Sequence, residues 1–297
     1  MFLTTTIYVP ADSPITFPNL GLALNPAVRV FPNSTLPLIG NIHWYGLLIG
    51  IGFLLAVIYC DVRCKKFGIT EDQLINMLLC AVPSAVICAR AYYCIFYWEL
   101  FRDDPISCLY IWQGGLAIYG AVIGAVAAAV IYCKAAKVSV GAMLDLGGLG
   151  LPIGQCLGRW GNFVNREAFG AATDSFLKMG LVDIAGRLDY YHPTFFYESV
   201  WNLVGFVLLH FLSKKRRYDG EVFTLYVAWY GLGRVWIEGL RTDSLMLFGT
   251  GIRVSQLLAG VSCLVAVGLW LYVCLKVRPK PENLYVNRIA EKSGNER

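Results

Sequence analysis

The stretch VSQLLAGVSCLVAVGLWLYVCL, Val254 to Leu275, contains no charged residue across 22 positions. At ~1.5 Å per helical residue such a run crosses the ~30 Å hydrocarbon core of a bilayer, and buried helices of soluble proteins are rarely so long or so uniform. A second run, WYGLLIGIGFLLAVIYC at 44–60, is equally free of charge. Working outward from these two, further apolar segments fall at about 73–98, 111–133, 143–163, 193–212 and 222–240. None alternates with the period of two that a barrel strand in lipid requires, so the spans are helices. The expected fold is an all-α integral membrane protein with about seven transmembrane helices.

Composition agrees. Hydrophobic residues make up 57% of the chain and charged residues 15%, against roughly 25% charged in soluble domains. With no repeat and no linker, one membrane domain over 1–297 is expected, comprising an N-terminal arm (1–43, rich in Pro and Asn), a long outer loop (164–192) and a tail (276–297). The outer loop is open to two readings, a lid or a plain surface loop. The N-terminus lacks a basic segment followed by an apolar one, so no cleaved signal peptide is expected. Nine of the ten cysteines fall in or at the ends of spans and none has CxxC spacing, so they read as small apolar residues, not as a metal site or a disulfide framework.

Lys and Arg set the orientation. One set of loops, with the tail, holds fifteen of them, including Lys214, Lys215, Arg216 and Arg217; the other holds seven. The N-terminus is therefore expected outside and the C-terminus in the cytoplasm. The net charge of +5 follows this bias and does not point to nucleic acid. Gly46/Gly50, Gly120/Gly124 and Gly154/Gly158 have the GxxxG spacing that lets helices approach closely.

Four spans contain ionisable residues: Arg90; Asp145 and Arg159; Glu198 near an end; Arg234 and Glu238. A charge at mid-bilayer costs at least ~2.5–3.5 kcal/mol, which makes such residues functional candidates. The structural alternative is a self-neutralising patch, since Arg234 and Glu238 are four residues apart and Arg241 follows three later. At ~1.5 Å per residue Arg234 lies about 20 Å and Arg159 about 24 Å from the cytoplasmic ends of their spans. Tyr119, Tyr45, His192, Tyr197 and Glu198 also fall toward the outer face, so a site opening to the outer leaflet follows. Arginine stays charged at any accessible pH and grips phosphate with paired hydrogen bonds, so the site binds an anion.

The segment GRWGNFVNREAFG, Gly158 to Gly170, breaks the end of a span with Arg159, Asn162, Asn165 and Glu167. It resembles the signature of the prolipoprotein diacylglyceryl transferases. HWYGL (43–47), HPTFFYES (192–199) and YGLGRVWIEGLR (230–241) resemble that family's other blocks, in order, and the likeness covers 43–276. The resemblance implies transfer of the sn-1,2-diacylglyceryl group of phosphatidylglycerol to the lipobox cysteine thiol of a preprolipoprotein, leaving a thioether and glycerol 1-phosphate. It also implies a bacterial cytoplasmic membrane protein, with phosphatidylglycerol, lipobox-bearing signal peptides and membrane lipids as partners and no cofactor or metal.

By motif position Arg159 and Arg234 correspond to essential arginines. Asn162, Glu167, Gly170, Tyr45, Tyr230 and Glu238 correspond to other site residues. One departure stands in WQGGLAIYGAVIG (112–124), where many members carry histidine and this chain carries Tyr119. The catalytic set expected is Arg159, Arg234, Tyr119 and Glu238, and the substrate-binding set Asn162, Glu167, Tyr45, Tyr230, Gly170, Arg241 and His43. For His43 an interfacial hydrogen-bonding role is the alternative to a chemical one. His210 reads as structural, Asp145 as a cap or pair, and Arg90 as either a lipid contact or an internal pair.

Three rivals remain. A transporter or binding protein for an anionic lipid or solute should show inverted repeats or midplane charges; no repeat is seen, and the charges lie toward one face. An intramembrane hydrolase would want GxSxG or HExxH in a span, and neither occurs. A lipid-binding scaffold is disfavoured by the family motif alone.

Overall fold

The structure, a computed structural model, describes residues 9–10, 13–31, 42–241 and 253–295. Parts of the expected arm (1–8, 11–12 and 32–41), residues 242–252 and the last two residues of the tail lie outside it. Eight α-helices are described: α1 Trp44–Cys64, α2 Glu71–Phe96, α3 Ile118–Ala135, α4 Val140–Asn165, α5 Thr194–Ser213, α6 Glu221–Glu238, α7 Val254–Tyr272 and α8 Tyr285–Asn295.

All of these except α6 and α8 are long and apolar enough to cross a membrane, which makes six by length and composition. α6 matches α3 in length at 18 residues but carries Glu221, Arg234 and Glu238. Those charges are the reason a hydropathy criterion passes over the sixth expected span. α3 starts later than expected. Residues 111–113 form a 3-10 turn, and Gly114 and Gly115 follow with φ of +87° and +72°, a backbone that stops any helix entering from 111.

The chain packs as two compact units. The first comprises the described residues of Met1–Cys60, Gly147–Arg216 and Val222–Pro279. It carries what the sequence did not announce, an antiparallel sheet made from the expected arm and outer loop. Strands β1 (Ile15–Phe17), β2 (Leu22–Leu24), β3 (Met179–Val182) and β4 (Leu188–Tyr191) lie in the order β2-β1-β3-β4. Ile15 faces Leu24, Thr16 faces Gly180, and Met179 faces Tyr191. Strands of three or four residues are too short to show an alternating pattern, so the segments read as irregular. Their inner face is well buried: Ile15, Met179, Leu181 and Tyr191 join Phe163 and Val164 of α4, Phe169 of the loop after α4 and Phe195 of α5.

Arg166 ties arm to loop. It is 3% exposed, and its guanidinium donates to Ser13 O (2.8 Å), Val164 O (2.9 Å), Asn25 Oδ1 (3.0 Å) and Pro26 O (3.1 Å). These bonds hold it at φ +55°, the left-handed backbone that ends α4.

The second unit comprises Asp61–Leu146, Arg217–Glu221 and the described part of Lys280–Arg297. α2 opens with a capping box that the sequence spells as Thr70 and Gln73: Gln73 N donates to Thr70 Oγ1 (3.2 Å), and Thr70 N to Gln73 Oε1 (3.0 Å). α3 packs on α2 through one of the three GxxxG pairs. A methyl at Gly124 would lie 2.5 Å from Ser84 O, and one at Gly120 would overlap Cys88 O. Gly46 and Gly50 face open space, and Gly154 and Gly158 have only distant neighbours, so for those two pairs close packing is not what requires glycine. At the other end of this unit Asp145, fully buried, accepts from Gly220 N (2.8 Å), and Asp219 accepts from Tyr285 N at the start of α8 (2.9 Å).

Among the described residues Arg90 pairs with backbone carbonyls and with no carboxylate. It donates to Ser107 O (2.7 Å), Cys108 O (2.8 Å), Gly114 O (2.7 Å) and Gly115 O (3.1 Å), and its guanidinium lies 5.1 Å from the Phe101 ring centre. It is the post around which the loop between α2 and α3 winds.

Candidate functional site

The first unit brings together arginines from two helices and from the segments flanking α6 and α7 around two buried carboxylates. Glu198, on the second turn of α5, is 5% exposed at the side chain. Arg159 of α4 reaches it with Nη2 at 2.6 Å, Arg234 of α6 with Nη1 at 3.0 Å, and Arg241 with Nη1 at 3.8 Å. Arg234 turns its Nη2 to Glu238, one helical turn on, at 2.6 Å. The expected i,i+4 pair is therefore present, but as one arm of a larger network. Arg241 directs its guanidinium to Glu198, while its backbone N donates to Glu238 O (3.2 Å).

Supports for this network come from every neighbouring element. Ser255 at the start of α7 donates to Glu238 Oε1 (2.5 Å), and Arg253 donates to Glu238 O (2.5 Å). Trp201 and Trp229 stack with ring centres 4.3 Å apart, and each indole N–H donates to the other's carbonyl at 3.0 Å. This reciprocal clamp fixes α5 against α6, and with them Glu198 against Arg234. Asn162, one turn from Arg159 on α4, accepts weakly from Arg159 Nη1 (3.4 Å) and donates to Glu167 Oε1 (3.0 Å), which Asn165 also reaches (3.3 Å).

Gly170 seats Arg241. Its N–H donates to His192 O (2.9 Å), and it pairs with Arg241 in a short antiparallel bridge. A methyl there would lie 2.7 Å from His192 Cβ and 3.0 Å from Leu240 O, so the joint admits only glycine. His192 Nδ1 lies 3.4 Å from Tyr197 OH, and burial holds its imidazole below the ordinary value.

Tyr45 opens α1 and lays its ring where Gly161 has no side chain, within electrostatic reach of Arg159 and Glu167. Tyr230 lines a small cleft with Glu198, Trp201, Asn202, Gly233 and Arg234. Trp201 also lines an apolar groove of about 310 Å³ with Tyr197, Val200, Val204 and Trp236. His43 is exposed immediately before α1, bridges to Arg29, and accepts at its carbonyl from Leu47 N (3.1 Å). Tyr119 belongs to the second unit, where it is 46% exposed and 6.4 Å from the Tyr92 ring. His210 accepts or donates a 2.6 Å hydrogen bond with Tyr59, the structural role expected of it.

The residues that sequence reasoning left out of the site are Glu198, Arg253, Ser255 and Asn202. Glu198 had a signal, since it is the one acid in HPTFFYES and stands inside a span. Asn202, 4% exposed, sits one turn further on the same face. For Arg253 and Ser255 the only hint was their place at the mouth of an otherwise uncharged helix. Among the described residues no group of three or more His, Cys, Asp or Glu side chains could hold a metal.

Fold and site together define a multi-pass helical membrane protein with a buried arginine–glutamate network. The family model described as prolipoprotein diacylglyceryl transferase matches residues 35–272, and the chain belongs to that family. It is similar to the phosphatidylglycerol–prolipoprotein diacylglyceryl transferase of Bacillus licheniformis, with 42% identity over 244 residues, 80% of this chain and 90% of that one. The protein of the same description from Bacillus velezensis is 40% identical over 243 residues (80% and 89%). That from Halalkalibacterium halodurans is 38% identical over 264 residues (86% and 91%).

Proposed function

We propose that this chain transfers the sn-1,2-diacylglyceryl group of phosphatidylglycerol to the lipobox cysteine of preprolipoproteins, with Arg159 and Arg234 as the groups that hold the lipid phosphate. The observation that carries the reading is convergence. Arg159, Arg234 and Arg241 meet at Glu198, and Arg234 also reaches Glu238, in a largely buried place where guanidiniums from separate helices can grip one phosphodiester.

Each guanidinium has five N–H donors. Glu198 and Asn162 occupy two nitrogens of Arg159, and Glu198 and Glu238 two of Arg234, leaving donors for phosphate oxygens. Glu198 keeps the two cations side by side where they would otherwise repel. In the reaction the cysteine sulfur attacks the glycerol carbon that bears the phosphate. The carbon–oxygen bond breaks, glycerol 1-phosphate leaves with the electron pair, and the thiol proton departs to solvent or to the phosphate. The same arginines stabilise the charge building on the departing oxygen and raise the thiolate fraction of a thiol whose ordinary pKa is about 8.5. Glu238 and Glu167 orient the basic groups. Asn162, Tyr45, Tyr230, His43 and Arg241 contact the headgroup, and Gly170 holds Arg241 in place. The apolar groove beside Trp201 suits an acyl chain. No cofactor enters, because the lipid supplies the electrophile.

The same reading takes α6 as a seventh span, its charges facing the protein interior. It puts the N-terminus outside, the tail in the cytoplasm of a bacterial inner membrane, and the whole chain to work as a single membrane domain.

The test is purified protein with phosphatidylglycerol vesicles and a lipobox peptide. A thioether-linked peptide and free glycerol phosphate support the reading. Wild-type rates from correctly inserted Arg159→Ala and Arg234→Ala proteins overturn the role assignment.

A further inference from the structure

Outside the arginine cluster, the second unit contains one pair of cysteines that share a neighbourhood. Cys94 stands on the last turn of α2, four residues beyond Arg90 and so on the same face. Its sulfur lies 4.0 Å from the carbonyl oxygen of Cys108, the oxygen that also accepts from Arg90 Nε at 2.8 Å. Both thiols are free, Cys94 buried and Cys108 half-buried. Arg90 anchors the surrounding backbone through its four carbonyl bonds, so the pair is held at short range by a rigid support, where a mobile loop would bring them together only by chance.

We infer that Cys94 and Cys108 form a reversible dithiol site whose oxidation fastens the loop between α2 and α3 to the end of α2. The accessible Cys108 thiolate attacks a disulfide-bearing oxidant, forming a mixed disulfide and releasing one thiol. Cys94 then attacks the Cys108 sulfur, closing the intramolecular disulfide and releasing the second thiol. Two protein thiols are oxidised and one disulfide is reduced to two thiols, so hydrogens and electrons balance. Placing this loop on the outer, oxidising side of the membrane rests on the topology proposed above; the exchange chemistry itself does not.

The experiment treats the purified full-length protein with oxidised glutathione, blocks remaining thiols with N-ethylmaleimide and maps peptides by mass spectrometry. A cross-linked peptide pair containing residues 94 and 108, abolished by reductant, is the expected result. Cys94→Ser should accumulate glutathione on Cys108, because the resolving thiol is gone. Cys108→Ser should leave Cys94 unmodified, because the buried thiol does not meet the oxidant first. If wild-type protein keeps both thiols open to alkylation after denaturation, or if Cys94→Ser takes up no glutathione at Cys108, the inference fails. On intact cells first treated with a reductant, which reopens the disulfide, a membrane-impermeant maleimide then reports the side separately. Labelling of Cys108 from outside supports an extracytoplasmic switch. A disulfide that forms in vitro with no outside labelling overturns the topology and leaves the dithiol chemistry standing.

Discussion

Replacing Glu198 by glutamine probes the arginine network at its centre. The carboxylate binds Arg159 at 2.6 Å and Arg234 at 3.0 Å, with Arg241 at 3.8 Å. Glutamine keeps the volume and one acceptor oxygen, so one guanidinium meets a neutral acceptor and the other an N–H₂ donor. A hydrogen bond to a charged group is worth about 1.5–3 kcal/mol and a neutral one about 0.5–1.5 kcal/mol. Weakening one contact and losing the other removes about 2.5–4.5 kcal/mol. The two arginine side chains are 21% and 17% exposed, so water recovers part of this and about 2–3 kcal/mol remains. If that energy holds the guanidiniums in their reactive places, kcat/KM falls roughly 30- to 150-fold, at about 1.4 kcal/mol per tenfold. Initial rates of thioether formation from phosphatidylglycerol vesicles, with thermal unfolding of the same preparation in detergent, give both quantities. A Glu198→Gln enzyme within about threefold of wild type and with an unshifted unfolding midpoint would refute the argument that this carboxylate positions the arginines.

Tyr119→Phe is expected to slow transfer by roughly 10²-fold and Tyr119→His to preserve it, the lower end of what proton transfer contributes; a fully active Tyr119→Phe enzyme excludes a relay. Arg166→Ala orphans four acceptors between arm and loop and should cost the first unit roughly 2–4 kcal/mol, seen as faster proteolysis at 13–26; unchanged proteolysis would contradict the tie. Burial holds the His192 pKa below 6.5, so as pH falls the unfolded chain takes up this proton before the folded one does. Stability from this group is therefore complete above about pH 6.5 and declines below it until the folded-state pKa is reached. Unfolding midpoints followed from about pH 8 to about pH 5 should show that decline in wild type and a flatter profile in His192→Gln; equal slopes would remove His192 as the cause.

Much of the site was legible because charge inside an apolar span has few explanations. Arg159, Arg234 and Glu238 declared themselves by where they stand, and the order of the four motif blocks supplied their setting. The i,i+4 spacing of Arg234 and Glu238 even gave one ion pair correctly. Glu198 was visible as an intramembrane acid, but nothing along the chain says that Arg159, some forty residues earlier, would share its carboxylate. Arg90 shows the opposite lesson. By the same reasoning it was a functional candidate, and it proved to be satisfied by four loop carbonyls.

Local patterns determined which segments form the long apolar helices and the kind of chemistry, because an apolar run of bilayer length and a guanidinium within it are properties of a single segment. The tertiary structure alone decided which charges meet. Glu198 became a bridge only when α4, α5 and α6 came together, and strands of three or four residues became a sheet only when two distant segments paired. Contacts of that kind depend on distances in space between residues far apart in the chain, and no local window records them.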